Sequence, residues 1–219
     1  SLEVTGGYGV EVKRQLPWIW ATLVGLLYTL ISVLSWRRLT VNSWDNAIFE
    51  QAIKAYSRFE PPIVPVKGPD YNILGDHFSP IDALLAPFYW VFPSGVTLLV
   101  AQAALIALSV VPITKLAIEK LGNQTGWTVA LMYGLAFGFG GAVIADFHEV
   151  AFAVPILAMA GTAFVRQQYQ AVIWWSLPLL LVKEDMGVTV AAIGAAMWLV
   201  GQHRRALILM ATGALALVL

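Results

Sequence analysis

Apolar residues in this chain gather into long runs separated by short polar breaks. The first run, Pro17 to Trp36, is flanked by Lys13 and Arg14 before it and Arg37 and Arg38 after it, with Trp18, Trp20 and Trp36 near its ends. About 20 apolar residues of helix cross a hydrocarbon core, and indoles and bases collect where that core meets water. Further runs cover Val96 to Ile118, Trp127 to Ala145, Val150 to Val165, Ala171 to Val182, Gly187 to Val200 and Ala206 to Leu219. The pattern predicts an all-α polytopic membrane protein of about seven transmembrane helices, the shorter ones completed by tilt or by neighbouring residues. The chain stops inside its last apolar run, so the expectation is a single transmembrane domain forming the N-terminal part of a longer protein.

Residues 39–94 break this pattern. Within them Trp44 to Phe59 sets Ile48, Ala52 and Ala55 beside Phe49, Ile53 and Tyr56 at helical spacing, after a capping Ser43 and a first-turn Asp45. That spacing predicts an amphipathic helix lying in the membrane interface. Glu60-Pro61-Pro62 ends it, and a loop rich in proline and glycine follows. A second apolar segment, Ile81 to Phe92, is too short to span and is expected to lie in or re-enter the interface.

Composition agrees with a lipid solvent: 59% of residues are hydrophobic and 12% charged. The formal net charge is zero, which gives no footing for nucleic acid as a partner. Cysteine is absent, which removes disulfides and thiolate chemistry. No small-residue cleavage site closes the first run, so it reads as a retained span.

Charge placement is more telling than charge total. With a cytoplasmic N-terminus and every run crossing, the inner side receives seven basic residues (Lys13, Arg14, Lys115, Lys120, Arg166, Arg204, Arg205) against Glu3, Glu11 and Glu119, a net of +4. The outer side receives ten acids and six bases, a net of −4. Short inner loops are then basic, as the positive-inside rule requires, although Arg37 and Arg38 run against it. His203 joins Arg204 and Arg205 as an inner-face anchor, and the Asn123-Gln124-Thr125 sequon falls on the inner side and is discarded.

The same topology gathers Asp76-His77, Asp146-Phe147-His148-Glu149 and Lys183-Glu184-Asp185 on the outer side. Carboxylates and imidazoles together can hold a divalent cation or move protons, and ionisable groups at membrane helix ends are costly unless used. The plainer alternative is a set of polar turns and self-neutralising helix ends. Asp45 can likewise be only a first-turn carboxylate. Arg37 and Arg38 either anchor the first span to lipid phosphates or hold a phosphorylated substrate.

Four blocks, Trp44-Asp45-Asn46-Ala47-Ile48-Phe49-Glu50-Gln51-Ala52, Gly75-Asp76-His77-Phe78-Ser79-Pro80, Asp146-Phe147-His148-Glu149 and Val182-Lys183-Glu184-Asp185-Met186-Gly187, occur in that order. In this they resemble the bacterial membrane family called domain of unknown function 2079, itself grouped by resemblance with the GT-C glycosyltransferases. That resemblance implies a multi-pass bacterial plasma-membrane enzyme whose long first outer loop carries two interfacial helices. It would transfer sugar from a polyprenyl-phosphate donor to a cell-envelope acceptor, with membrane lipid and further membrane subunits as partners. Asp45 becomes the catalytic base. Arg37, Arg38 and Lys183 would hold the donor phosphate. The alternative source of that positive charge is a divalent ion (Mg, Mn, Ca or Zn) on Asp76, His77, Asp146, His148 and Glu149. Glu50, Glu184 and Asp185 complete the polar site. Two other readings stand beside it: an ion-coupled transporter with these acids as a relay, and a non-catalytic scaffold or assembly subunit.

Overall fold

The computed structural model describes residues 4–40 and 43–217, with side chains from 15 to 40 and from 44 to 217. The expected Ser43 cap, the charges at Glu3, Glu11, Lys13 and Arg14, and the terminal Leu219 lie outside that description. Among the described residues the chain is almost wholly helical, with no strand and a single isolated bridge between Ile63 and Asn72. The helices are α1 (Val4–Arg37), α2 (Ser43–Tyr56), α3 (Ala86–Val91), α4 (Gly95–Gly134), α5 (Phe137–Ile144), α6 (Ala153–Val165), α7 (Tyr169–Ser176), α8 (Met186–Leu199) and α9 (His203–Ala216).

Three helical stretches are long and apolar enough to cross a membrane: Gln15–Arg37, Gly95–Leu121 and Asn123–Ile144. The last two are divided at Gly122, whose φ of 78° reverses the chain in a conformation that glycine takes without penalty. The remaining expected runs are shorter. Glu149–Val165 and Tyr169–Leu181 each combine a 3-10 turn with an α-helix, and in the second the change comes at Pro178, which has no N–H to continue an α-helix. The run expected over 127–145 is interrupted between Gly134 and Phe137.

That interruption frees carbonyls that an apolar solvent cannot satisfy. Tyr28 of α1 supplies a donor there, and two further α1 side chains bond carbonyls on either side of it. Tyr28 Oη donates to Gly134 O at 2.7 Å, Trp20 Nε1 to Ala130 O at 3.1 Å, and Ser32 Oγ to Val143 O at 2.9 Å. Small residues bring the same elements together, with Gly25 against Ala107 and Gly134 against Trp20 and Val24. A tighter crossing joins α8 to α9, where any β-carbon at Gly187 or Gly213 would meet the opposite backbone.

Residues 43–94 fold onto one end of this bundle. Ile48, Phe49, Ala52 and Ile53 of α2 are all buried, packed on Ile81, Leu98 and Phe147 on one side and on Val64 and Ile73 on the other. A helix therefore lies over Ser43–Tyr56, with its apolar face covered by protein. The second segment divides into a 3-10 turn, Pro80–Leu85, followed by α3. Its face behaves oppositely, since Phe88, Trp90, Val91 and Phe92 are all exposed. An apolar groove of about 680 Å³ runs between α3 and α4, walled by Leu84, Phe88, Val96, Val100 and Leu108.

Candidate functional site

The bundle end that carries residues 43–94 collects the polar blocks. Asp146 follows the end of α5, and its carboxylate Oδ2 accepts the backbone N–H of Asp45 at 3.2 Å and of Asn46 at 3.5 Å. These N–H groups open α2, where no helical carbonyl is available to them, and the positive end of the helix macrodipole favours an anion there. Asp146 thus caps a helix 101 residues away in sequence and fixes where Asp45 stands. Burial pushes the Asp146 carboxyl above its ordinary range, and the N–H groups of Asn46 and Asp45 partly offset this.

His148 stands next to this cap. Its Nδ1 lies 2.9 Å from the Asp146 carbonyl oxygen, an atom that can only accept, so Nδ1 carries a proton. Its Nε2 faces Asp45 Oδ2 at 3.4 Å. Behind them Gln102 of α4 donates through Nε2 to Ala142 O at 2.8 Å and accepts the His148 N–H at 3.1 Å. Phe147 is fully buried and meets Phe49 edge-on at 5.5 Å between centroids. The half-exposed pair, 46% for Asp45 and 44% for His148, thus rests on a buried frame of Asn46, Gln102, Asp146 and Phe147. Within that frame Asn46 Oδ1 and Asp146 Oδ1 are buried without a hydrogen-bond partner.

The other expected residues form two further groups and some outliers. Glu149 is 2% exposed and pairs with Lys183 Nζ at 3.2 Å. Burial works to lower the Lys183 ammonium, and Glu149, with Asp185 and Glu184, outweighs it and leaves the group above its usual range. Asp76 bonds Lys67, which holds its carboxyl below the usual range, and His77 Nε2 lies 3.5 Å from the same Asp76 oxygen. Glu184 accepts the Phe78 N–H at 3.1 Å and ties this loop to the segment before α8. A recess of about 480 Å³ lies there, between Leu74, Asp76 and Phe78 on one side and Leu180, Lys183 and Glu184 on the other. Glu50 accepts from Tyr89 Oη at 3.1 Å and packs against Gly95. Asp185 is exposed, as are Arg37 and Arg38, which close α1 at this same end and have no ion-pair partner among the described residues.

The five residues assigned to a divalent ion therefore fall into separate pairings: Asp146 and His148 with Asp45, Glu149 with Lys183, and Asp76 and His77 with Lys67. Among the described residues no three of His, Asp or Glu come together as a metal-binding group.

Two buried polar residues carry structure that the pattern did not mark. Gln102 is a lone amide within the Val96 to Ile118 run, and Asp82 a lone acid within the Ile81 to Phe92 segment. Asp82 is 1% exposed, and burial pushes its carboxyl up to about 8, opposed by a hydrogen bond from Ser79 and reinforced by the charge on Glu149. Their only signal was polarity out of place in an apolar stretch.

No curated protein and no solved structure matches this chain. One family does, over residues 35–219, which takes in all four motif blocks and every residue of the pair and its frame. The chain belongs to the family described as predicted membrane protein, domain of unknown function 2079 (DUF2079).

Proposed function

We propose that this protein is a membrane glycosyltransferase in which all seven apolar runs cross the bilayer, the N-terminus is cytoplasmic, and the Asp45–His148 end faces outward. The observation that carries this reading is the contrast between the pair and its support. An exposed ion pair contributes little to stability, a median of about 0–1 kcal/mol. Burying polar groups such as Asp146 and Gln102 costs about 1–3 kcal/mol each wherever a partner is missing. A frame of that kind beneath a half-exposed acid and imidazole serves to position them for chemistry.

The chemistry follows from the groups present. Asp45 accepts the proton of an acceptor hydroxyl, with His148 Nε2 as the adjacent proton store. The freed oxygen attacks the anomeric carbon, and the bond from that carbon to the donor phosphate breaks. The phosphate leaves with the bonding pair, and the exposed guanidinium groups of Arg37 and Arg38 stabilise its charge. The groove between α3 and α4, apolar along its length, suits the prenyl chain of such a donor.

The test is binding of a polyprenyl phosphate to the purified protein in nanodiscs, measured by calorimetry. Wild type and Asp45→Asn are expected to bind alike, since Asp45 faces the acceptor, and Arg37→Gln/Arg38→Gln to bind at least about tenfold more weakly, the loss expected when charge-assisted phosphate contacts are removed. Equal binding by all three would contradict the assignment of the phosphate to these arginines. Absence of binding to folded wild type would move the scaffold reading to the front.

A further inference from the structure

We propose that the bundle end opposite Asp45 carries a specific site for the head group of an anionic glycerophospholipid, built between α7 and the turn that joins α8 to α9. The chain direction alternates along the bundle, so the turn at Gly122 within α4, the end of α6, the start of α7 and the turn between α8 and α9 fall together, away from Asp45 and Glu149. Arg166 pairs with Glu119 at 2.7 Å and marks that end. A recess of about 590 Å³ opens there, lined by Gln170, Trp174, Gln202, His203, Arg204 and Arg205.

The recess is amphiphilic in the order a lipid requires. Its polar rim holds Arg204 and Arg205, and no carboxylate pairs with either among the described residues. Gln202 Oε1 accepts from Arg205 Nη1 at 2.6 Å, which orients that guanidinium and leaves its other N–H groups available. His203 is packed on Trp198, with 4.4 Å between ring centroids. The apolar wall is exposed, with Trp174 66% and Ile208 48% accessible, and indoles are favoured at the depth where acyl chains meet head groups. Two arginines present forked donors that match a phosphodiester, and the absence of a neighbouring acid favours a net-negative head group over a zwitterionic one. Gly201, at φ 81°, makes the turn that brings this basic triplet under Trp174. The site is independent of the Asp45–His148 pair and of the transferase reading.

Native mass spectrometry of the full chain, with dioleoylphosphatidylglycerol or dioleoylphosphatidylcholine supplied in mixed micelles, tests the site. Phosphatidylglycerol adducts should persist in wild type and fall about fivefold for each arginine removed, the size expected for one basic group at a lipid surface. Arg204→Gln/Arg205→Gln should therefore lose them, and Arg204→Lys/Arg205→Lys should keep a substantial share. Lys115→Gln/Lys120→Gln, which removes the same charge from the same end, should keep them in full. Equal loss in the two glutamine pairs, or equal retention of the two lipids by wild type, would overturn the proposal. Displacement of the lipid by millimolar inorganic phosphate would overturn it too, since the site would then be one for free anions.

Discussion

The carboxylate of Asp146 accepts the backbone N–H of Asp45 at 3.2 Å, so the first turn of α2 is held in place by the segment that carries His148. This one contact ties the loop after α1 to the end of α5. Asp146→Ala is expected to destabilise the protein by about 1 kcal/mol, the usual cost of losing a helix cap, and to raise hydrogen exchange in α2 before the rest of the fold. Asp146→Asn keeps an oxygen acceptor and should retain most of that protection. Uniform exchange across the bundle in the alanine variant would argue against a local capping role.

Gln102 holds the other side of the same segment. Gln102→Leu leaves the Ala142 carbonyl and the His148 N–H without their partner in a buried place, a loss of about 1–3 kcal/mol. Thermal unfolding in detergent measures it. The variant should also lose turnover beyond its loss of stability, because His148 is no longer fixed against Asp45.

Asp82 sets a pH dependence. Its carboxyl is raised in the folded state to about 8, so between the ordinary carboxylate range and that value the native protein holds a proton that the unfolded chain has released. Stability therefore falls as pH rises through this window, with a slope of up to about one proton. Asp82→Asn, which stays neutral, should flatten the decline between pH 5 and pH 8. An unchanged slope in that variant would assign the dependence elsewhere.

Lys183 covers the charge of buried Glu149. Lys183→Met should destabilise by about 3 kcal/mol, the lower end for breaking a buried pair, because Lys183 keeps 27% of its side chain in solvent. Adding Glu149→Gln should recover much of this, and equilibrium denaturation of the two variants shows whether it does.

The site was legible in the sequence where charge interrupts an apolar run. Asp146, His148, Lys183 and Glu184 fall at such breaks, and alternation of the runs predicts that they share one face, as they do. Amphipathicity at α2 says which face is apolar and nothing of what covers it, so burial of Phe49 and Ile53 against Phe147 was not legible. Nor was the gap between Gly134 and Phe137, which has no proline and where Tyr28 of a distant helix donates to the Gly134 carbonyl. Residue type also does not show the pairings of Glu149 with Lys183 and of Asp76 with Lys67.

The role proposed for Asp45 is that of the base in transfer from a polyprenyl-phosphate sugar. The direct measurement is release of polyprenyl phosphate, followed by mass spectrometry, when the protein in nanodiscs is given polyprenyl-phosphate sugars and an extract of envelope acceptors. Wild type should release it, and Asp45→Asn should release it about a hundredfold or more slowly, the lower bound for general-base catalysis, while binding the donor unchanged. Release by Asp45→Asn at the wild-type rate would contradict the account.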